Sequence, residues 1–139
     1  MIIGSHVSFD SKEQLLKSVK ECISYNGNTF MFYTGAPQNT RRCILDDELT
    51  YLAYNLMKEN DIKLENIICH APYIVNLAND TDPEKYDFSI KFIRQEVERL
   101  EKLNNCLASA KIEPNINFRN AIEISLVGIL DVINAYLTF

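Results

Sequence analysis

Ile67-Ile68-Cys69-His70-Ala71-Pro72-Tyr73-Ile74-Val75-Asn76-Leu77 is the stretch whose reading decides the fold. It begins as a short apolar run of the kind a buried strand needs, and a histidine stands where the run stops. Pro72 ends any continuing pleat, and the pair Tyr73-Ile74 that follows reads as exposed. In a parallel α/β sheet, chemistry gathers at the carboxyl ends of the strands, because the loops there vary while the strands stay packed. A histidine closing a strand is therefore well placed as a metal ligand or general base. The plainer reading, and the commoner one for a lone histidine, is a half-buried ring satisfied by a backbone carbonyl.

Upstream, the same order of strand then polar loop occurs twice more. Met1-Ile2-Ile3-Gly4-Ser5-His6-Val7-Ser8 reads as a very short strand near residues 2–5, with His6 at its end. Ser11 with Gln14 has the spacing of a capping box, and Leu15, Leu16, Val19, Cys22 and Ile23 make the apolar stripe of a helix. Asn26 and Gly27 suit its left-handed C-terminus. Thr29-Phe30-Met31-Phe32-Tyr33-Thr34 is a β-branched and aromatic second strand. Asp46-Asp47 open a second helix with a stripe of Leu49, Leu52, Ala53, Leu56 and Met57, and Asn60-Asp61 end it before a third strand near 65–70. Asp80-Thr81-Asp82-Pro83 starts a third helix, in which Tyr86, Ile90, Ile93, Val97 and Leu100 face inward. Glu96, Glu98, Arg99, Glu101 and Lys102 read as its solvated face. Alternating strands and helices over residues 1–103 imply an α/β fold with a parallel sheet and right-handed crossovers.

The second loop, Gly35-Ala36-Pro37-Gln38-Asn39-Thr40-Arg41-Arg42, holds the one adjacent arginine pair in the sequence. Such a pair is ordinarily a solvated surface feature; at the same sheet end as His70 it could also meet a phosphate. Composition sets outer bounds. The 139 residues suffice for one domain with a real core, and 47% hydrophobic with 24% charged residues is ordinary for a soluble protein. A net charge of −5 opposes a polyanion, so contact with nucleic acid needs a local basic patch. Cys22, Cys43, Cys69 and Cys106 form no C-x-x-C pair, and the start Met1-Ile2-Ile3-Gly4 does not read as a signal peptide. The expectation is reduced thiols in a cytoplasmic protein. No apolar run is long enough to span a membrane.

Three segments carry a resemblance: Ile3-Gly4-Ser5-His6-Val7-Ser8, Phe32-Tyr33-Thr34 with the loop through Arg42, and His70-Ala71-Pro72-Tyr73-Ile74-Val75-Asn76-Leu77. In this order, and each after a predicted strand, they resemble the amino-terminal part of endonuclease IV, a family of zinc-dependent apurinic/apyrimidinic endonucleases on a TIM barrel. The resemblance covers residues 1–103, roughly three βα units of a barrel that normally takes about 250 residues. It implies that His70 is a zinc ligand and that His6 lies in the active-site neighbourhood. It also implies that Tyr73 and Ile74 enter duplex DNA at an abasic site, with Gln38 near the gap in the base stack. The implied cofactor is a cluster of about three zinc ions, and the implied reaction is DNA repair, by hydrolysis of the phosphodiester 5′ to the lesion.

Beyond residue 103 the sequence departs from the family. A His-Pro-Gly-x-His stretch is expected there, but Asn104-Asn105-Cys106-Leu107-Ala108-Ser109-Ala110-Lys111-Ile112 stands in its place, and no histidine follows His70. Zinc ordinarily takes at least three protein ligands, so one recognisable ligand does not make the site. Residues 104–139 read as a divergent tail, with an irregular link and then a helix over 121–138 that has Ile122, Leu126, Ile129, Leu130, Ile133 and Leu137 on one stripe. The expectation is a truncated chain, inactive alone and prone to self-association unless that helix covers the sheet. Two alternatives stay open. One is a non-enzymatic remnant or split-barrel partner completed by another fragment; the other is a related metal-dependent sugar isomerase-like barrel, against which the loops at 35–42 and 70–77 argue.

Overall fold

The structure, a computed structural model, describes residues 1–78 and 81–109, with side chains as far as 104. Its strands are β1 (Gly4–His6), β2 (Thr29–Phe32) and β3 (Ile68–Cys69), in one parallel sheet ordered β1-β2-β3. Helices α1 (Gln14–Ser24), α2 (Asp47–Glu59) and α3 (Pro83–Ser109) follow the strands in turn. This is the parallel α/β arrangement that the alternation predicts, and it is consistent with the first units of the barrel that the resemblance implies. Gly4 pairs with Thr29 and His6 with Met31, while Met31 and Phe32 pair on the other side with Ile68 and Cys69. Two further bonds, Val7 N–H to Met31 O at 2.8 Å and His70 N–H to Phe32 O at 2.9 Å, carry the ladder past the strand ends. The close pairing requires glycine at position 4, since a Cβ there would lie 1.9 Å from the Thr29 carbonyl oxygen.

Period-two burial in β2 sends Phe30 and Phe32 into a core that also takes Val7, Leu15, Val19, Ala53, Tyr54, Met57, Ile67, Leu100 and Leu103. The outer strands are thinly covered: Ile2, Ile3 and Ile68 are all exposed. Among the described residues no helix is long and apolar enough to cross a membrane, and Cys22, Cys43 and Cys69 are free thiols.

Several elements depart from the sequence reading. Ser11 does not cap α1; Asp10 Oδ1 instead accepts from the Lys12 and Glu13 backbone N–H groups, both at 2.9 Å. Gln14 is released for another task. Its backbone is left-handed at φ 51°, and its buried carboxamide donates to Ile44 O at 2.9 Å and accepts from Asp46 N–H at 3.0 Å. Asp46 in turn caps α2 through the Glu48 and Leu49 N–H groups. The buried face of α2 is Thr50, Ala53, Tyr54 and Met57, so Leu52 is exposed. The Tyr54 hydroxyl reaches Leu103 O at 3.2 Å, which turns that face toward α3. β3 is shorter than expected because Leu64–Asn66 closes as a 3-10 turn.

The largest correction is in α3. Its inner face is Ser89, Phe92, Glu96, Leu100 and Leu103, while Tyr86 is exposed. Glu96, expected on the solvated face, is buried. The helix also runs through position 103 without a break, as far as Ser109. The helix expected over 121–138 lies outside the described residues.

Candidate functional site

Because the strands are parallel, their carboxyl ends share one edge, and four aromatic rings gather there. Tyr33 follows β2 and is buried, with His6 of β1 on one side and His70 after β3 on the other, each ring centroid 4.8 Å from that of Tyr33. Tyr73 stands edge-on to Tyr33 at 5.6 Å and to His70 at 6.3 Å. Burial, and then the neighbouring Tyr73, push the Tyr33 phenol up to about 12. Tyr33 is therefore neutral at physiological pH and acts as an uncharged spacer rather than a base.

His70 is exposed, and its Nδ1 lies 2.7 Å from Ala71 O. A carbonyl oxygen only accepts, so Nδ1 carries the hydrogen and the neutral ring keeps the Nε2 lone pair free. The backbone carbonyl expected for the ring is there, although the ring is exposed rather than half-buried, and it sets the tautomer that leaves Nε2 outward.

The loop at 35–42 exposes Gln38 and Arg41, whereas Arg42 is turned inward. Its Nε donates to Glu96 Oε1 at 2.6 Å, with side-chain exposures of 9% and 7%. Its Nη1 lies within reach of the carbonyls of Ala36 (3.2 Å), Asn39 (3.0 Å) and Arg41 (2.9 Å). Its guanidinium sits over the Phe92 ring, 4.9 Å from the centroid. Gly35 leaves room for this, since a Cβ there would meet Arg42 Cδ at 2.8 Å. Thr34 Oγ1 also donates to Glu96, and Arg99 binds the carbonyls of Cys43 at 2.7 Å and Thr34 at 3.2 Å. Arg42 therefore organises the loop from within rather than standing on its surface, which removes it from the expected phosphate contacts. Sequence reasoning missed Glu96, Arg99 and Thr34. A buried ion pair between residues 42 and 96 leaves no local spacing to read.

The loop after β3 holds Tyr73 at 67% exposure, the most outward aromatic ring of the site, while Ile74 is half-buried. Tyr73 N–H donates to Pro37 O at 3.1 Å, joining this loop to the preceding one. Asn76 N–H donates to Ser89 Oγ of α3 at 3.0 Å. His6, Gln38, Arg41, His70 and Tyr73 thus share one end of the sheet.

The donor set for zinc is a different matter. Among the described residues no group of three His, Cys, Asp or Glu side chains could hold a metal ion. The Cys69 thiol beside His70 is pushed up to about 12 by burial and then by the Glu96 charge, against the pull of Arg42 and Arg99, so without a metal it stays protonated. The described residues do not fit a zinc cluster.

No family model matches the chain. Curated relatives do. The probable endonuclease 4 of Enterococcus faecalis is 48% identical over 103 residues, which is 74% of this chain and 34% of that protein. The probable endonuclease 4 of Shouchella clausii is 38% identical over 138 residues, 99% of this chain and 46% of that protein. The chain spans between a third and a half of the length of these relatives. Among solved structures, endonuclease IV from Thermus thermophilus superposes with a TM-score of 0.59 at 16% identity, over 83% of this chain and 48% of that one. That likeness shows the fold, and the sequence matches show the lineage. The chain is a relative of the endonuclease IV proteins and matches part of their length rather than the whole.

Proposed function

We propose that this chain serves phosphodiester hydrolysis 5′ to abasic sites in duplex DNA, as the part of an endonuclease IV-like barrel that grips the lesion. The observation that carries the reading is the joining of two loops at the sheet edge by Tyr73 N–H to Pro37 O, with Gln38 exposed on one loop and Tyr73 exposed on the other, its ring 6.3 Å from that of His70. Wedging side chains into a base step costs a few kcal/mol and costs least where a base is missing, so such loops favour an abasic site over an intact duplex. Arg41 is the exposed cation for a flanking phosphate, and Ile74 contributes only its outer face. A projecting Tyr73 also suits a groove better than the closed pocket a sugar isomerase needs.

His70 is proposed as one zinc donor. With no further donors placed around it among the described residues, no chemical step through the metal follows, and the 139 residues by themselves are expected to bind rather than cut. The thinly covered strands at both sides of the sheet favour a partner that adds further strands, either a complementing fragment or a second copy.

The test is fluorescence anisotropy of the chain with a duplex carrying one tetrahydrofuran abasic analogue and with its intact counterpart, followed by incubation with excess zinc. Preferred binding of the abasic duplex, weakened by salt and by Tyr73→Ala, is the expected result. Equal affinity for both duplexes would count against the grip, and zinc-dependent nicking abolished in His70→Ala would show that the tail supplies the missing ligands.

A further inference from the structure

The two exposed loops are fastened to the same helix face by different means. Glu96 of α3 holds the loop at 35–42 through Arg42 Nε, and Arg42 Nη1 gathers three carbonyls of that loop. Ser89, seven residues earlier and so about two turns away on the same face, holds the loop after β3 by accepting from Asn76 N–H. Both side chains are buried, Ser89 at 1% and Glu96 at 6% exposure. Ser89 Oγ also donates to Lys85 O at 2.8 Å, which fixes the direction of its lone pairs toward Asn76. The loops then meet each other through the bond from Tyr73 N–H to Pro37 O. Phe92 lies between the two anchors and packs under the Arg42 guanidinium.

We propose that Ser89 and Glu96 are positioning residues that lock the two loops to one face of α3, so that Gln38 and Tyr73 are presented to DNA as one rigid unit. The DNA part of this rests on the reading above; the coupling of the loops does not. Each fastening is a buried polar contact, which has defined geometry and no water to replace it when broken. If either anchor is lost, the bond between Tyr73 and Pro37 has one loose partner. A disturbance made at Glu96 should therefore reach the amide of Tyr73, on the other loop, although the Glu96 carboxylate is engaged by Arg42 and Thr34 rather than by that loop. Likewise a disturbance at Ser89 should reach the Arg42 loop. A rigid pair of loops arrives at the lesion already ordered and loses less conformational freedom on binding.

The experiment is hydrogen–deuterium exchange of the free full chain, comparing wild type with Glu96→Gln and Ser89→Ala, alongside anisotropy with the abasic and intact duplexes. Glu96→Gln keeps the size of the side chain but removes the charge that holds Arg42. Exchange in peptides covering both 35–42 and 71–77 is expected to rise about threefold to tenfold in each variant, the range set by one lost hydrogen bond. The preference for the abasic duplex is expected to fall, more than binding of the intact duplex does. Acceleration confined to the loop next to the mutated anchor would overturn the proposal, since the loops would then move independently. Should Glu96→Gln fail to fold, Ser89→Ala with the apolar pair Arg42→Met/Glu96→Met asks the same question. If wild type shows no abasic preference, the functional reading fails while the exchange result still decides the coupling.

Discussion

Replacing Glu96 with alanine tests the energetics of the loop anchor. The substitution leaves the Arg42 guanidinium uncompensated in a place where the pair is 9% and 7% exposed. Truncating one member of a buried ion pair costs about 3–5 kcal/mol, because the other charge stays buried. Thr34 Oγ1 loses its acceptor as well, which adds about 1 kcal/mol. Against this, Arg42 keeps three loop carbonyls and the Phe92 ring, a cation–π contact that offsets about 1 kcal/mol. The net expectation is a loss of about 4 kcal/mol, a large share of the roughly 5–15 kcal/mol typical of a domain. Urea unfolding followed by far-UV circular dichroism should show the midpoint lowered by about 1–4 M at unchanged slope. The companion variant Arg42→Met/Glu96→Met leaves no charge buried alone and should lose clearly less than Glu96→Ala does, although Thr34 and the loop carbonyls still lose their partners. A Glu96→Ala loss below about 1 kcal/mol would refute the reasoning, because the pair would then be exchanging with solvent.

Gln14→Ala should cost about 2 kcal/mol in the same assay, since it orphans the Asp46 N–H and the Ile44 carbonyl. Gln14→Gly should cost less than alanine does, because φ 51° strains any side chain; equal losses would show that the backbone conformation is not strained. Acid should unfold the chain through Asp10 and Glu21. The Glu13 N–H and then Lys17 hold Asp10 well below the usual carboxylate range, and the Ser8 N–H lowers Glu21. Folded values below the unfolded ones mean that this stability is fully present above about pH 4 and is lost as pH falls through the folded values. Asp10→Asn should flatten that pH dependence in thermal melts, and an unchanged slope would contradict it. Cys69, pushed up to about 12, and Cys22, also raised by burial, should resist iodoacetamide at about pH 8 in the native chain. Peptide mapping that found either one alkylated faster than the chain unfolds would show that these thiols are open.

The order of elements, the parallel sheet and the edge that gathers His6, Gln38, Arg41, His70 and Tyr73 were all legible in the sequence. Each rests on a local pattern: a short apolar run, a helical stripe, and a polar loop after a strand. The histidine at the end of β3 could be read because strand and histidine are neighbours in the chain. The sequence also carried the lineage, in three motifs that each sit within a few residues of a strand end. Tertiary structure alone decided what Arg42, Glu96, Gln14 and Ser89 do. Arg42 and Glu96 look like ordinary surface charges, and they meet only because α3 folds back over the loop at 35–42. The same distance in sequence hid the turn of α2 toward Tyr54 and the use of Gln14 as a bridge rather than a cap. Periodicity reports which side of an element is apolar. It carries no information about which buried polar groups find each other across the fold, and those pairings set how the two loops are held.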